Sequence, residues 1–323
     1  MTRLILPLAT IFLISTSFQW GFFAHKHINR LAVFILPPEM ISFYKEHIDY
    51  ITEAAVNPDK RRMAVADEGP RHYIDVDHYG DSAWTALPKY WKDAAKKYSE
   101  DTLTAHGILP WHVQIMCYRL RDAFLMKDPN RILRLSAELG HYVADAHVPL
   151  HTTQNYNGQR TGQEGIHGFW ESRLPELFAG EYNFFVGKAA YIPDVQADVW
   201  KAIAITNRQV DSVLTLEKGL TSKMEDRKYA FEERGKQLNR VYTREFSKAY
   251  HDLLAGMVER QMRASVKMTG DLWYTAWIDA GQPDLKELIG YKPSEEELRK
   301  RREEIEQWKT QLRGPRPHES PEN

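Results

Sequence analysis

Cysteine is almost absent from this chain of 323 residues, in which Cys117 is the only one. A single cysteine excludes a disulfide framework within the chain and a metal centre built on several thiolates. Cys117 lies in an apolar stretch with helical periodicity, so we expect a buried thiol rather than a nucleophile. Any metal would therefore be bound by His, Asp and Glu side chains, a ligand set that suits zinc.

A strong charge of one sign is also missing, because the formal net charge is −1 at pH 7. The chain thus lacks the broad positive surface typical of nucleic-acid-binding modules. An enzyme that contacts only a few phosphate groups remains compatible with this balance. The alternation of apolar and polar residues that predicts strands is missing as well, and we find no internal repeat.

Long apolar runs are missing except near the N-terminus, where Arg3 precedes an apolar segment at residues 4–13 and small polar residues follow. This run is shorter than the roughly 20 residues that a membrane span needs. The pattern is typical of a secretory signal peptide. We predict that residues 1–19 are a cleaved signal peptide and that the mature chain is exported to the periplasm or the extracellular space, with no transmembrane segment. A retained anchor is the alternative.

Most of the chain has apolar residues at three- and four-residue steps, which predicts helices. The predicted helices cover residues 22–36, 39–56, 110–127, 130–146, 167–178, 194–216 and 239–268, with loops at 57–86 and 154–165. Residues 292–313 are charged throughout and predict a solvated helix, and residues 314–323 are Pro-rich and predict disorder. We therefore predict an all-α, compact multi-helix bundle over residues 20–290, with a metal cluster in a cleft between helices and a charged tail over residues 291–323.

The segment at residues 139–151 carries the strongest chemical signal. His141 and Asp145 are four residues apart in a helical pattern, which places both on one helix face. A carboxylate in a core helix needs a metal or another cation. His151 follows shortly after, and a second pair with the same spacing, His167 and Glu171, lies downstream. Two such pairs favour a metal site on packed helices.

Three earlier segments, at residues 20–25, 57–62 and 71–75, add four candidates, which are Trp20, His25, Asp59 and His72. Each of these has an ordinary structural explanation when it is taken alone. In order, and together with the two pairs, they resemble the zinc-dependent phospholipase C superfamily, which includes the single-strand-specific nucleases of the S-one/P-one type. The resemblance covers residues 20–171 at the level of motifs.

This resemblance implies three zinc ions. The first would be bound by Asp59, His72, His141 and Asp145. The second would be bound by His151, His167 and Glu171. The third would be bound by the α-amino group and carbonyl of Trp20 together with His25, and Asp145 would bridge it to the first. Trp20 can serve only if it is the mature N-terminus, so cleavage after Ser17 would prevent the third site.

The resemblance also implies catalytic roles around the ions. Arg62, three residues after Asp59, corresponds to an arginine that binds the substrate phosphate in the nuclease branch. Asp75, three residues after His72, corresponds to a carboxylate that orients this arginine or the attacking water. Asp67 is the rival of Asp59 as a ligand. Two further residues are candidate hydrogen-bonding partners of the ligands because they lie one and two turns before His141, and these are Glu138 and Arg134.

The expected reaction is hydrolysis of a phosphodiester by metal-activated water, with Asp145 serving two ions. Glu171 is the residue that phospholipases have at its position, whereas the spacing of Trp20 and His25 resembles the nucleases. Our first expectation is phospholipase C-like cleavage of a phospholipid head group. The alternatives are an endonuclease for single-stranded nucleic acid and a non-catalytic, zinc-stabilised binding protein. No stable protein partner is implied.

Overall fold

The computed structural model describes residues 21–234 and 237–310 of the chain. The predicted signal peptide, Trp20 and the Pro-rich end lie outside the described residues. The fold is all-α, so this prediction is confirmed. The helices, numbered in chain order, are α1 (Phe22–Ala32), α2 (Pro38–Glu46), α3 (Ile48–Ala54), α4 (Asn57–Arg62), α5 (Ala83–Ala86), α6 (Trp91–Tyr98), α7 (Glu100–Ala105), α8 (Leu109–Leu125), α9 (Pro129–Asp145), α10 (Ile166–Gly168), α11 (Leu174–Phe178), α12 (Val195–Asn207), α13 (Val210–Met224), α14 (Arg244–Leu253), α15 (Met257–Asp279) and α16 (Glu295–Thr310).

Helix α9 lies at the centre of the bundle, where it packs against α1, α3, α8 and α15. Its middle residues, such as Leu139 and Tyr142, belong to a large apolar cluster that α8 and α15 share. Near its C-terminal end, Ala144 belongs to a second apolar cluster, built around α10, α11, α13 and α14. The end of α9 is therefore fixed where the two clusters meet, and this junction positions the functional site.

Three of the predicted helices are interrupted by turns in the structure, and the one at residues 239–268 contains α14 and α15 with a turn at residues 254–256 between them. The segment predicted at residues 39–56 forms α2 and α3, because His47 leaves the helical conformation with φ −106° and ψ 18°. The His47 ring instead packs edge-on against Phe43 and Tyr291, at centroid distances of 5.1 and 5.9 Å. The segment predicted at residues 194–216 forms α12 and α13, with a turn at residues 208–209. Local periodicity cannot predict contacts with residues that are distant in the sequence, such as Tyr291.

The predicted loop at residues 57–86 contains α4, the four-residue helix α5 and two 3₁₀ turns, Gly69–His72 and Val76–Tyr79. Helix α4 begins at Asn57-Pro58, and a proline in the first helical turn is favourable because its missing N–H would have no helical partner there. The loop prediction was therefore wrong for α4, which carries Asp59 and Arg62, and for α5.

A two-stranded antiparallel hairpin, β1 (Tyr229–Arg234) and β2 (Gln237–Tyr242), contradicts the expected absence of strands. It also replaces the start of the helix predicted at residues 239–268. The strands are six residues long and do not alternate cleanly, so their pattern was not recognised. Their stability comes from packing, since the Tyr242 ring stacks on Phe169 with centroids 3.7 Å apart.

The charged segment forms helix α16, as predicted, and most of its residues are exposed, but one face packs on the body of the protein, which was not predicted. Trp308 is 9% exposed. The Arg301 guanidinium lies 4.2 Å from the centroid of the Tyr50 ring, and its Nη2 donates a hydrogen bond to the side chain of Asn130. Across residues 21–234 and 237–310, no helix combines the length and apolar character needed to cross a membrane.

Candidate metal centre

Helix α9 delivers the first predicted pair. Asp128 caps its N-terminus by accepting a hydrogen bond from the Arg131 amide at 3.0 Å, and Pro129 occupies the first helical turn. The helix is buried throughout its C-terminal half, so His141 and Asp145 are 0% and 1% exposed. His141 Nε2 lies 3.3 Å from Asp145 Oδ2. Both groups thus share one face, as their spacing predicts.

Helix α1 brings His25 onto the same face. The His25 ring stacks on His141 with centroids 3.9 Å apart, and His25 Nε2 lies 3.5 Å from Asp145 Oδ1. This close approach of α1 and α9 requires Gly140, since a Cβ there would lie 2.0 Å from Asn29 Oδ1. Gly140, the residue before His141, therefore determines how closely α1 and its His25 can approach α9.

Helix α4 and the following 3₁₀ turn contribute Asp59 and His72. Asp59 Oδ1 lies 3.8 Å from His72 Nδ1 and 3.6 Å from His141 Nε2. His72 Nδ1 lies 2.9 Å from Asp145 Oδ2. The rival carboxylate, Asp67, is exposed and belongs to none of the potential metal-binding groups among the described residues. The structure therefore places Asp59, and not Asp67, in the cluster.

The second predicted pair lies beside this cluster. Residues Phe169–Arg173 form a single π-helical turn between α10 and α11, directly before Pro175 in the first turn of α11. His167 Nε2 lies 2.9 Å from Glu171 Oε2, and His151 Nε2 lies 3.3 Å from the same oxygen. The His151 and His167 Nε2 atoms are 3.2 Å apart. His151, His167 and Glu171 thus form one compact group.

Backbone carbonyls orient three of the imidazoles. The Nδ1–H groups of His141, His151 and His167 donate to the carbonyls of residues 55, 72 and 156, at 2.9, 2.6 and 3.0 Å. In their neutral forms these imidazoles would therefore carry the lone pair on Nε2, the atom that faces the cluster. His72 is turned the other way, with Nδ1 in the cluster and Nε2 located 3.5 Å from Glu68 Oε1. Such partners fix the tautomer of a metal-binding histidine.

Asp145 connects the groups, because its two oxygens face different imidazoles. Oδ2 faces His72 and His141, and Oδ1 lies 3.5 Å from His25 Nε2 and 3.9 Å from His151 Nε2. This arrangement is what a carboxylate bridging two cations requires. It agrees with the bridging role that the resemblance implies for Asp145.

Burial and mutual charge perturb the pKa values of these groups. Burial opposes ionisation of Asp145, but the neighbouring His141 and His151 hold its pKa well below the usual range. Burial also disfavours a charged His141, yet Asp145 and Asp59 raise its pKa to about 9. Burial, reinforced by His141, lowers the pKa of His25 well below its usual value, so His25 is neutral. A buried, neutral imidazole has a lone pair available for a cation.

The donor atoms fit a metal ion in both type and spacing. Among the described residues, three groups have ligand atoms within 4.8 Å of one another: His25, His141 and Asp145; Asp59, His72 and His141; His151, His167 and Glu171. Ligands at zinc distances in a tetrahedron lie roughly 3.3–3.6 Å apart. The measured separations of 2.9–3.9 Å bracket this range. The buried His and Asp groups are therefore compatible with bound metal.

The two remaining catalytic candidates lie outside these groups. Arg62 ends α4 near the cluster, where its charge lowers the pKa of Asp59 against the larger opposing effect of burial. Asp75 is buried, with Oδ2 at 3.3 Å from His106 Nδ1, and burial raises its pKa to about 7. Its backbone neighbour Ile74 donates to the carbonyl of His151 at 2.9 Å, which ties this segment to the second group. The catalytic roles of both residues stay predictions.

Sequence reasoning missed Glu68 and Arg61. Glu68 is 0% exposed and accepts from Arg61 Nε at 2.8 Å, and the Tyr142 hydroxyl also donates to it. The spacing of Glu68 and His72, four residues apart, was the available signal. Arg61 in turn donates to Glu138 at 2.7 Å. Glu138, predicted as a partner of the ligands, therefore reaches His72 only through Arg61 and Glu68.

Comparison with known proteins adds no family to these observations: no protein-family model matches the chain, and no curated protein matches it. The resemblance to the phospholipase C and nuclease superfamily therefore stays a prediction from the sequence motifs.

Proposed function

We propose that this chain is an exported, zinc-dependent phosphodiester hydrolase of the phospholipase C type. The observation that supports it is the convergence of buried imidazoles and carboxylates from distant segments, in the chain order of that superfamily. The converging residues are His25, Asp59, His72, His141, Asp145, His151, His167 and Glu171. The carboxylates of Asp59, Asp145 and Glu171 would be costly to bury so close together without cations, which supports a role in binding metal.

Zinc ions bound there would acidify water and offset the negative charge of a phosphodiester, which are the main requirements for its hydrolysis. The first ion would be held by Asp59, His72, His141 and Asp145. The second would be held by His151, His167 and Glu171. The third would be held by His25, Asp145 and the α-amino group and carbonyl of Trp20, which precedes Gly21 in the sequence.

The chain's own residues have separate tasks in this proposal. Asp145 would contribute to two metal sites, because each of its oxygens faces a different set of imidazoles. Arg62 supplies a permanent positive charge beside Asp59, where its planar guanidinium would bind phosphate oxygens. Asp75, tied to the second group through Ile74, would orient Arg62 or the attacking water.

The substrate is the finer part of the proposal. Glu171 favours a phospholipid head group, since phospholipases of the superfamily have glutamate at this position. The five-residue spacing of Trp20 and His25 favours the single-strand-specific nucleases instead, and Arg62 is a feature of that branch. We take the phospholipid as the first choice and the single-stranded nucleic acid as the second. A non-catalytic zinc protein is the third, in which Arg62 has no task.

The test is a side-by-side assay of the purified chain with phosphatidylcholine and with single-stranded DNA, each repeated with a chelator. We expect chelator-sensitive release of the phosphorylated head group. Turnover of DNA alone would favour the nuclease alternative. If zinc-loaded protein turns over neither substrate, the result would favour the non-catalytic zinc protein. Asp145→Asn is the inactive variant, and Asp67→Asn is its matched control because Asp67 is exposed and outside the cluster.

A further inference from the structure

A continuous line of ion pairs joins the tail helix α16 to a ligand of the candidate metal centre. Glu304 Oε1 of α16 lies 3.2 Å from Arg134 Nη1 on α9. Arg134 Nε lies 3.1 Å from Glu138 Oε1, and Glu138 Oε1 lies 2.7 Å from Arg61 Nη1 on α4. Arg61 Nε lies 2.8 Å from Glu68 Oε2. The charges alternate in sign along the whole line.

The inner end of this line acts on His72. Glu68 Oε1 lies 3.5 Å from His72 Nε2, on the side of the ring that faces away from the cluster. A carboxylate there stabilises the tautomer with the proton on Nε2 and leaves the Nδ1 lone pair for a cation. Glu68 is fully buried, and its position depends on Arg61, Arg71 and the Tyr142 hydroxyl, which all donate to it.

The same line also fixes Asp59. Arg61 lies two residues after Asp59 on the six-residue helix α4. Its guanidinium makes two hydrogen bonds to Glu138 of α9, at 2.7 and 3.1 Å, so α4 is held against α9 by a paired contact. Helix α16 packs against the outer side of α4. Two members of the Asp59–His72–His141 group therefore depend on contacts that begin outside the cluster.

The outer end of the line is anchored by more than one contact. Trp308 of α16 is 9% exposed, and Arg301 lies over the Tyr50 ring and bonds to Asn130. These contacts hold α16 in one register, so that Glu304 faces Arg134. The preceding residue, Glu303, lies 3.3 Å from Arg299 of the same helix and is more than half exposed.

We propose that α16 is a positioning element for the Asp59–His72–His141 group and acts through the ion pairs from Glu304 to Glu68. The inference rests on the proposed metal centre. Glu304 and Glu68 are positioning residues in this scheme, since neither one is a ligand. Neutralising Glu304 frees Arg134, which then holds Glu138 less firmly, and the effect passes through Arg61 to the orientation of His72.

The experiment measures zinc affinity of the full chain by competition with a chromophoric chelator. Glu68→Gln should weaken the binding of one zinc ion about 10-fold, the lower end of the range for hydrogen-bonding partners of metal-binding histidines, because Glu68 Oε1 lies 3.5 Å from His72 Nε2. Glu304→Gln should weaken the binding of the same zinc ion about two- to five-fold, a smaller effect because the ion pair of Glu304 with Arg134 is partly exposed. The matched control, Glu303→Gln, should leave all equivalents unchanged.

Two further readouts separate positioning from general stability. The visible spectrum of the Co²⁺-loaded chain should change in Glu304→Gln and not in Glu303→Gln, while the two variants unfold at similar temperatures. In the double variant of Glu68 and Glu304, the affinity should equal that of Glu68→Gln alone, because both act on one path.

The inference is overturned if Glu304→Gln matches Glu303→Gln in affinity and spectrum, or if the double variant shows fully additive losses. If the wild-type chain binds no zinc, the proposed function fails together with this inference. Zinc binding by the wild type without any difference between the two tail variants would remove the inference alone.

Discussion

Asp145→Asn removes one charge from the centre of the cluster and preserves the size of the side chain. The lost carboxylate has its oxygens 2.9 Å from His72 Nδ1, 3.3 Å from His141 Nε2 and 3.5 Å from His25 Nε2. Because one residue serves two of the proposed ions, we expect the variant to lose at least one zinc equivalent and its turnover. A partner that only hydrogen-bonds to a ligand costs about 10- to 100-fold in affinity, so a bridging ligand should cost more.

The same variant has a calculable effect on the protein without metal. His141 has a folded-state pKa of about 9, against an unfolded value of 6.5, because Asp145 and Asp59 outweigh the opposing effect of burial. A raised pKa of this kind stabilises the fold fully below pH 6.5, and the contribution is lost as pH rises to about 9. The whole shift corresponds to about 3 kcal/mol. Since two carboxylates share it, Asp145→Asn should lower the free energy of unfolding by about 1–2 kcal/mol at pH 6.

The assay is denaturant unfolding in the presence of a chelator, at pH 6 and at pH 9.5, together with the zinc content and turnover of the loaded protein. Asp122→Asn is the control, because Asp122 is partly exposed and pairs with its neighbour Arg121 on α8, outside the metal-binding groups. The loss of stability should be clear at pH 6 and nearly absent at pH 9.5. Equal losses at both pH values, or full turnover by Asp145→Asn, would refute the reasoning.

Three further substitutions test other parts of the account. Arg62→Ala should lower turnover about 10²- to 10³-fold at unchanged zinc content, since it removes one charge that stabilises the transition state; unchanged turnover would argue against contact with phosphate. Burial raises the Asp75 pKa to about 7, so ionisation of Asp75 lowers the stability of the fold as pH rises from 3.8 to 7. Asp75→Asn should therefore raise the free energy of unfolding at pH 8, by at most about 4 kcal/mol, and leave it unchanged at pH 4. An equal effect at both pH values would contradict the raised pKa. Gly140→Ala should lower the free energy of unfolding, measured with denaturant, by about 1–3 kcal/mol, because the new Cβ would lie 2.0 Å from Asn29 Oδ1. A variant as stable as the wild type would show that α1 can move away from α9 without cost.

The parts of the site that could be predicted from the sequence are those that local spacing determines. His141 and Asp145, like His167 and Glu171, are four residues apart, and a helix places such residues together regardless of the rest of the fold. The all-α class follows from the same periodicity. Choosing Asp59 over Asp67 depended on the resemblance, because spacing alone did not distinguish them.

The parts that could not be predicted depend on contacts between distant segments. The division of α2 from α3 involves Tyr291, and the hairpin is stabilised by the stacking of Tyr242 on Phe169. The sequence of α16 predicts a solvated helix because most of its residues are charged or polar. Its contacts with the body are made by Trp308 and by the Arg301 guanidinium over an aromatic ring, and an apolar pattern does not reveal them. Glu68 is four residues from His72, but its partners Arg61 and Tyr142 come from α4 and α9, and the sequence does not show that these helices meet there.

The most direct test of the central claim is elemental analysis of the purified chain after dialysis, with the mature N-terminus determined on the same sample by mass spectrometry. The account predicts close to three zinc ions per chain when Trp20 is the first residue. It predicts a loss of the third ion when Trp20 is preceded by other residues. A chain that begins at Trp20 and contains no zinc, even after incubation with excess zinc, would contradict the account.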